Sequence, residues 1–248
     1  MAILVTRPRP DNEATAAALR AKGFDVLLAP MLRFEPVAFG DDAGARYSAV
    51  LVTSANALRG IESDPVMARL LPLPVFAVGQ RTAEAAGAAG FRDVTVAAGD
   101  AAALRDLIVA GGRGKTPRKA GTLLYLAGAD LAGDLAGELG ERGFTVVTRT
   151  TYRMIPVPKL PHEVCEAFAA NQIEAVLHYS RRSARAFLDA VRAGGVEISA
   201  LALPHCCISD AVASILRDVG ATQVLVAPAL DENGLFEALH RARAALSR

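Results

Sequence analysis

With 248 residues, 52% of them hydrophobic and only 21% charged, the chain has the composition of a globular protein, which excludes a disordered one. Tryptophan is absent and aromatics make up 5%, so the core has to be built from Ala, Val and Leu, which suits parallel strands covered on both faces by helices. The formal net charge of +1, from 27 basic and 26 acidic residues, lacks the basic excess of a protein that tracks nucleic-acid phosphates.

Residues 3–5 read as a strand and 12–21 as a helix that Gly23 ends from just beyond its last turn. A strand at 26–28 follows, and then 32–37, an extended stretch punctuated by proline and without helical periodicity. Residues 50–52 form a strand and 55–61 a helix. Next come a strand at 75–78, a helix at 82–89 stopped by Gly90, and a strand at 94–96; residues 104–110 close this half.

From residue 121 the pattern begins again. MAILVTRPRPDNEATAAALRAKGFDVLLAPMLRFEPV aligns without gaps on GTLLYLAGADLAGDLAGELGERGFTVVTRTTYRMIPV, placing Gly23-Phe24 on Gly143-Phe144. AVLVTSANAL, from Ala49, falls on AVLHYSRRSA, from Ala175. LPVFAVGQRTAEAAGAAGF, from Leu73, falls on LPHCCISDAVASILRDVGA, from Leu203. The matches keep their order and make two copies of one design, residues 1–120 and 121–248. Strands alternating with helices imply parallel sheets joined by right-handed crossovers, so the expected fold is α/β in two similar domains. The extended stretches at 32–37 and 152–157 sit at equivalent points of the copies and read as connectors.

Ligands of open parallel sheets sit beyond the carboxyl ends of strands, near helix N-termini. The polar clusters fall at such points: Thr6-Arg7, Thr53-Ser54, Gly79-Gln80-Arg81-Thr82, Ser180 and Ser209-Asp210. Each alone reads as a helix cap. Together they present backbone N–H groups and hydroxyls that hold anions without net basic charge, which points to a polyanionic small molecule.

Other signals are rejected. Gly114-Lys115-Thr116 has Val109 where a phosphate-binding loop needs its first glycine and Pro117 where its helix should run, so it reads as a solvated basic loop. The glycines of AGADLAGDLAGELG do not fit a dinucleotide fingerprint. His162, His178, His205 and His240 are scattered, without metal-ligand spacing. Cys165, Cys206 and Cys207 make neither a CxxC pair nor a disulfide framework, and the last two read as small buried hydrophobes in a strand. No serine has a triad signature. The opening MAILVTRPRP is too short in apolar residues for a signal peptide, and no stretch of about 18 uncharged apolar residues exists, so a soluble cytoplasmic protein is expected. Tyr152 is the one titratable residue that stands out. By itself it reads equally as a packing residue or, with a reference pKa of about 10, as a proton donor.

VTRP at 5–8, VTSANAL at 52–58, AVGQRTA at 77–83, TTYR at 150–153, the YS turn at 179–180 and a final helix after a strand ending VAPA resemble the uroporphyrinogen-III synthase family over essentially the whole chain. The resemblance implies two α/β domains, each a parallel sheet flanked by helices, joined by a two-stranded connector with a cleft between them. Domain 1 would be residues 1–34 with 172–248, domain 2 residues 38–150, and the connectors 31–38 and 150–160. The implied reaction cyclises hydroxymethylbilane, a polycarboxylate, to uroporphyrinogen III with loss of water and inversion of the last pyrrole ring, in tetrapyrrole biosynthesis.

By the same resemblance Tyr152 matches a tyrosine that assists departure of the hydroxyl, Thr82 fits the GxxTA turn, and Ser54 and Ser180 match the two strand-end serines. Arg7, Thr53, Asn56, Gly79, Tyr179 and Ser209 complete the substrate-binding set. There are departures: Ser209-Asp210-Ala211-Val212 replaces a usual glycine and threonine, Tyr179 replaces a common threonine, and an acid at Asp210 would repel a carboxylate unless it points away. No cofactor and no metal is implied. The partners are hydroxymethylbilane and a transient handover from hydroxymethylbilane synthase, with no nucleic acid, no membrane and a monomeric state. The alternatives from other classes are a cytoplasmic two-lobed binding or sensor protein for a small polyanion, and a nucleotide-sugar transferase, for which the chain is short.

Overall fold

Short runs of aliphatic residues set the strands. In a computed structural model that describes residues 1–40, 44–111 and 121–246, β1 (Ala2–Val5) buries Ile3, Leu4 and Val5 completely and leads into α1 (Asp11–Ala21), β2 (Asp25–Leu28) and β3 (Leu32–Pro36). The middle of the chain runs β4 (Tyr47–Val52), α2 (Ala55–Arg59), α3 (Met67–Leu70), β5 (Val75–Val78), α4 (Gln80–Ala88), β6 (Val94–Ala97), α5 (Ala101–Val109), β7 (Thr122–Gly128), α6 (Leu135–Gly140) and β8 (Thr145–Pro156). The remainder is α7 (His162–Ala169), β9 (Ile173–His178), α8 (Arg181–Ala193), α9 (Glu197–Leu201), β10 (Pro204–Cys207), α10 (Asp210–Arg217), β11 (Gln223–Val226) and α11 (Glu232–Leu246). Two compact units result: Met1–Phe34 with Ile155–Arg248, and Glu35–Met154.

The first unit carries a sheet in the order β11-β10-β9-β1-β2, all parallel. Successive side chains of a strand point to opposite faces. Ile3, Val5, Ala175, Leu177 and Cys206 accordingly pack with Leu19 of α1 and Leu235, Phe236 and Leu239 of α11. Leu4, Val176, His178, His205 and Cys207 fall on the other face, where Phe187 of α8 meets both histidine rings. Burial pushes both thiols up to about 12, so Cys206 and Cys207 behave as the small hydrophobes expected from sequence.

The second unit carries a six-stranded sheet in the order β3-β8-β7-β4-β5-β6, parallel from β8 to β6. One face packs Val50, Val52, Val75, Ala77, Leu124 and Leu126 against α2, α3 and α4. The other packs Ala49, Leu51, Phe76, Leu123 and Tyr125 against Leu104 and Ile108 of α5 and Leu135 and Leu139 of α6. Each buried Val, Leu, Ile or Phe side chain among them contributes about 1.5–3 kcal/mol. Beside β8 lies β3: Val37 N–H donates to Thr151 O at 2.8 Å and Val157 N–H to Met31 O at 2.9 Å, so the two strands run in opposite directions. The extended stretch at 152–157, read from sequence as a connector, is for the most part the end of β8, which runs unbroken from Thr145 to Pro156.

Setting aside β3, which joins the second sheet at its β8 edge, the chain starts each sheet in the middle, builds outward to one edge, and returns to build toward the other. The reversal lies between β1 and β9 in the first unit and between β4 and β7 in the second. Strands that the sequence repeat pairs, β1 with β7, β2 with β8, β9 with β4 and β10 with β5, hold corresponding places in the two orders. Gly114-Lys115-Thr116 lies outside the described residues.

Candidate active site

The reversal of strand order leaves a crevice above the two central strands, because the loops that follow them turn to opposite faces of the sheet. In the second unit those loops follow β4 and β7. Thr53 and Ser54 come directly after β4, both half-buried. Ser54 adopts an extended backbone, and its Oγ accepts the Asn56 N–H at 3.3 Å, capping α2. The Thr53 hydroxyl lies 3.0 Å from the hydroxyl of Tyr125, a residue of β7 that is only 5% exposed. Burial raises the Tyr125 phenol above its usual range, the hydrogen bond with Thr53 pulls the other way, and the nearby Tyr152 phenol adds a smaller upward push.

Tyr152 stands on β8 opposite Gly128, the last residue of β7, and its carbonyl accepts the Ala129 N–H at 2.9 Å. Its ring occupies the space that a side chain at Gly128 would need: a Cβ there would lie 2.7 Å from Tyr152 Cζ and 2.9 Å from its hydroxyl. Thr151, next in β8, is fully buried and donates to the Ala57 carbonyl at 2.8 Å, which ties β8 to α2. After β5, Gly79 takes φ +74, a conformation that L side chains rarely adopt, and starts α4 with the buried Thr82 in its first turn.

In the first unit the loops follow β1 and β9. Thr6 is spent on structure, its hydroxyl donating to Leu177 O at 2.7 Å. Arg7 lies with its guanidinium 4.6 Å from the centre of the Tyr179 ring, so these two residues are brought together. Arg7 also reaches Asp11 at 3.3 Å, and its Nη1 donates to Glu232 Oε1 at 3.2 Å and to Thr15 Oγ1 at 3.3 Å. Tyr179 donates to the same Glu232 oxygen at 3.1 Å, and so does the Thr15 hydroxyl. Burial holds the Tyr179 phenol well above its usual range, so it is a donor and not a base.

Ser180 caps α8, its Oγ accepting the Ser183 N–H at 3.1 Å. Ser209 starts α10 without a side-chain cap bond. The acid after it, Asp210, pairs with Arg217 of the same helix at 2.7 Å. The pair is largely exposed, so it screens the Asp210 charge only in part.

Two groupings escaped the sequence reading. Glu232 and Thr15 join Arg7 and Tyr179, although Glu232 lies at the far end of the chain. The histidines read as scattered include a hydrogen-bonded pair: His178 Nε2 lies 3.0 Å from His205 Nδ1, and His205 Nε2 lies 3.1 Å from the Ala200 carbonyl. A carbonyl only accepts, so His205 carries its proton on Nε2, and its Nδ1 accepts a hydrogen bond from His178 Nε2–H. The adjacency of β9 and β10 is what joins them. Among the described residues no group of three or more His, Cys, Asp or Glu side chains could hold a metal ion, and no helix is long and apolar enough to cross a membrane.

The profile of one protein family, uroporphyrinogen-III synthase HemD, matches residues 13–237. Among solved structures the chain is similar to a uroporphyrinogen-III synthetase from Helicobacter pylori, with TM-score 0.64 and 16% identity over 97% of this chain and 98% of that one. It is also similar to a mutant uroporphyrinogen III synthase from the extremely thermophilic bacterium Thermus thermophilus, with TM-score 0.58 and 19% identity over 99% of this chain and 100% of that one. At these identities the structures speak for the fold. No curated protein matches the chain.

Proposed function

The chain belongs to the uroporphyrinogen-III synthase family, and from that premise we propose how its residues divide the work of the reaction. The activity is that of a hydro-lyase: hydroxymethylbilane is cyclised to uroporphyrinogen III with loss of water and inversion of the last pyrrole ring. Once the terminal hydroxyl leaves, the resulting azafulvene closes spontaneously to the unwanted isomer. The protein therefore has to hold the chain so that its electrophilic carbon meets the substituted position of the last ring. A spiro intermediate forms, one carbon–carbon bond of it breaks, and the ring recloses reversed with loss of a proton. Most of this is positioning.

In our reading Tyr152 donates its phenolic proton to the departing hydroxyl, so that water and not hydroxide leaves. The observation that carries this assignment is the pairing of Tyr152 with Gly128, which lets a phenol lie over the end of a central strand. Substrate carboxylates are contacted by Thr53, Ser54, Asn56, Gly79, Thr82, Arg7, Tyr179, Ser180 and Ser209. Support comes from their place at strand ends and helix starts, where backbone N–H groups favour anions. Arg7 retains donors beyond those it gives to Asp11, Thr15 and Glu232. The same proposal has the protein act in the cytoplasm as a monomer, taking hydroxymethylbilane by transient handover from hydroxymethylbilane synthase, because the substrate closes on its own when left free.

The test is Tyr152→Phe. Positioned general acids contribute about 10²–10⁴-fold, so kcat for type III product falls by about a hundredfold while the thermal midpoint holds. Unchanged kcat in the folded variant removes the phenol from the chemistry.

A further inference from the structure

Tyr125 has no place in the reaction as set out above, yet it is a polar group sunk in an apolar wall. It lies in β7 in register with Leu51, two residues behind Thr53 on the adjacent strand β4. It belongs to the buried cluster that includes Leu51, Phe76, Leu123 and Leu104, and its hydroxyl meets Thr53, the residue just past the end of β4. Among the described residues, the partner of that hydroxyl is Thr53 Oγ1, at 3.0 Å.

The direction of this bond follows from satisfaction. If Thr53 donated, the proton of Tyr125, a residue only 5% exposed, would be left without a hydrogen-bond acceptor among the described residues, at a desolvation cost. If Tyr125 donates, its proton is satisfied and the Thr53 proton is released to point elsewhere. A phenol is also a stronger acid than an aliphatic alcohol, so it is the better donor. Thr53 is half-buried and directly follows a central strand at the reversal of sheet order.

We infer that Tyr125 is a positioning residue which, by donating to Thr53 Oγ1, fixes the Thr53 hydroxyl as an outward donor to a substrate carboxylate. The inference rests on the reading of Thr53 as a substrate contact. The chain of donors runs Tyr125 to Thr53 to carboxylate, and each bond polarises the next. A buried phenol suits this task because it stays protonated throughout the neutral range and donates in one direction.

The experiment is a double-mutant cycle on Tyr125→Phe and Thr53→Val, with Thr53→Ser as the conservative control. Kinetics are read as KM and kcat with hydroxymethylbilane generated in the assay, and binding of the purified product is titrated separately. Tyr125→Phe keeps the ring in its packing and removes one oxygen. Expected is a rise in KM of about fivefold, the scale of one net hydrogen bond, with kcat within twofold of the parent and a matching loss of product affinity. Thr53→Val raises KM at least as much, Tyr125→Phe adds nothing further in that background, and Thr53→Ser, which keeps the hydroxyl, recovers part of the KM lost in Thr53→Val. A KM raised by Thr53→Val but untouched by Tyr125→Phe overturns the positioning role and leaves the Thr53 contact standing. Additive effects overturn it too, since Tyr125 would then act independently of Thr53. A KM and product affinity that Thr53→Val leaves unchanged overturns the contact itself, and the inference with it.

Discussion

Gly128→Ala tests the placement of Tyr152 without touching the tyrosine. The added Cβ would lie 2.7 Å from Tyr152 Cζ, 2.9 Å from the phenolic oxygen and 3.0 Å from Cε1. Carbon atoms rest at about 3.5–4.0 Å, so the ring has to retreat by roughly 0.8 Å or more. The atoms in the way are the far end of a side chain, so the ring swings and the backbone stays. A shift of that size in a reacting group costs about a hundredfold in rate. Stability should fall by at most about 2–3 kcal/mol: removing a glycine from the unfolded chain gains about 0.4–1 kcal/mol, against about 1–3 kcal/mol for repacking the ring. For a chain of this length each kcal/mol shifts the midpoint by about 2–4 °C. Gly60→Ala serves as the contrast, because its Cβ would lie 2.2 Å from the Thr151 carbonyl oxygen, and backbone cannot swing aside. That variant should lose stability far more than Gly128→Ala. The assay is kcat for type III product alongside a thermal melt of each variant. A folded Gly128→Ala protein with parental kcat would refute the role given to the Tyr152 ring position.

The buried His178–His205 pair makes stability depend on pH. Burial lowers His205 from 6.5 to about 4 and holds His178 well below its ordinary value, so the unfolded chain binds more protons in the acid range. The stabilisation is complete above pH 6.5 and is lost as pH falls toward 4, by roughly 3 kcal/mol for His205 alone; equal urea midpoints at pH 7.5 and pH 5 would contradict this. Ser180→Ala removes the cap of α8 and should lower stability by about 1 kcal/mol, read from the urea midpoint at pH 7.5. No change there would show the cap to be idle.

What the sequence could carry was local or repeated. Apolar runs and helix stops marked most strands and helices, and the repeat matched β1 with β7 and β9 with β4 before any sheet order was visible. The strand-end positions of Thr53, Ser54 and Ser180 followed from the same pattern. Contacts made by folding carried no local signal. Glu232 meets Arg7 across 225 residues, and nothing around either residue announces the other. Tyr125 sits in TLLYLAG, which reads as plain core, because its role depends on which strand lies beside it. His178 and His205 looked unrelated until β9 and β10 became neighbours. Thr6 resembled the other strand-end hydroxyls but is buried and bound to the Leu177 carbonyl, a difference that burial decides and spacing does not. Gly128 has no special backbone conformation; its meaning comes from the ring of Tyr152 opposite.

The central claim, that this chain directs the closure of hydroxymethylbilane, is tested most directly by the isomer composition of the product. Hydroxymethylbilane is generated in the presence and absence of the protein, and the type I and type III products are separated. Expected is a large excess of type III that grows with the protein added. A product no richer in type III than the spontaneous control would contradict the account.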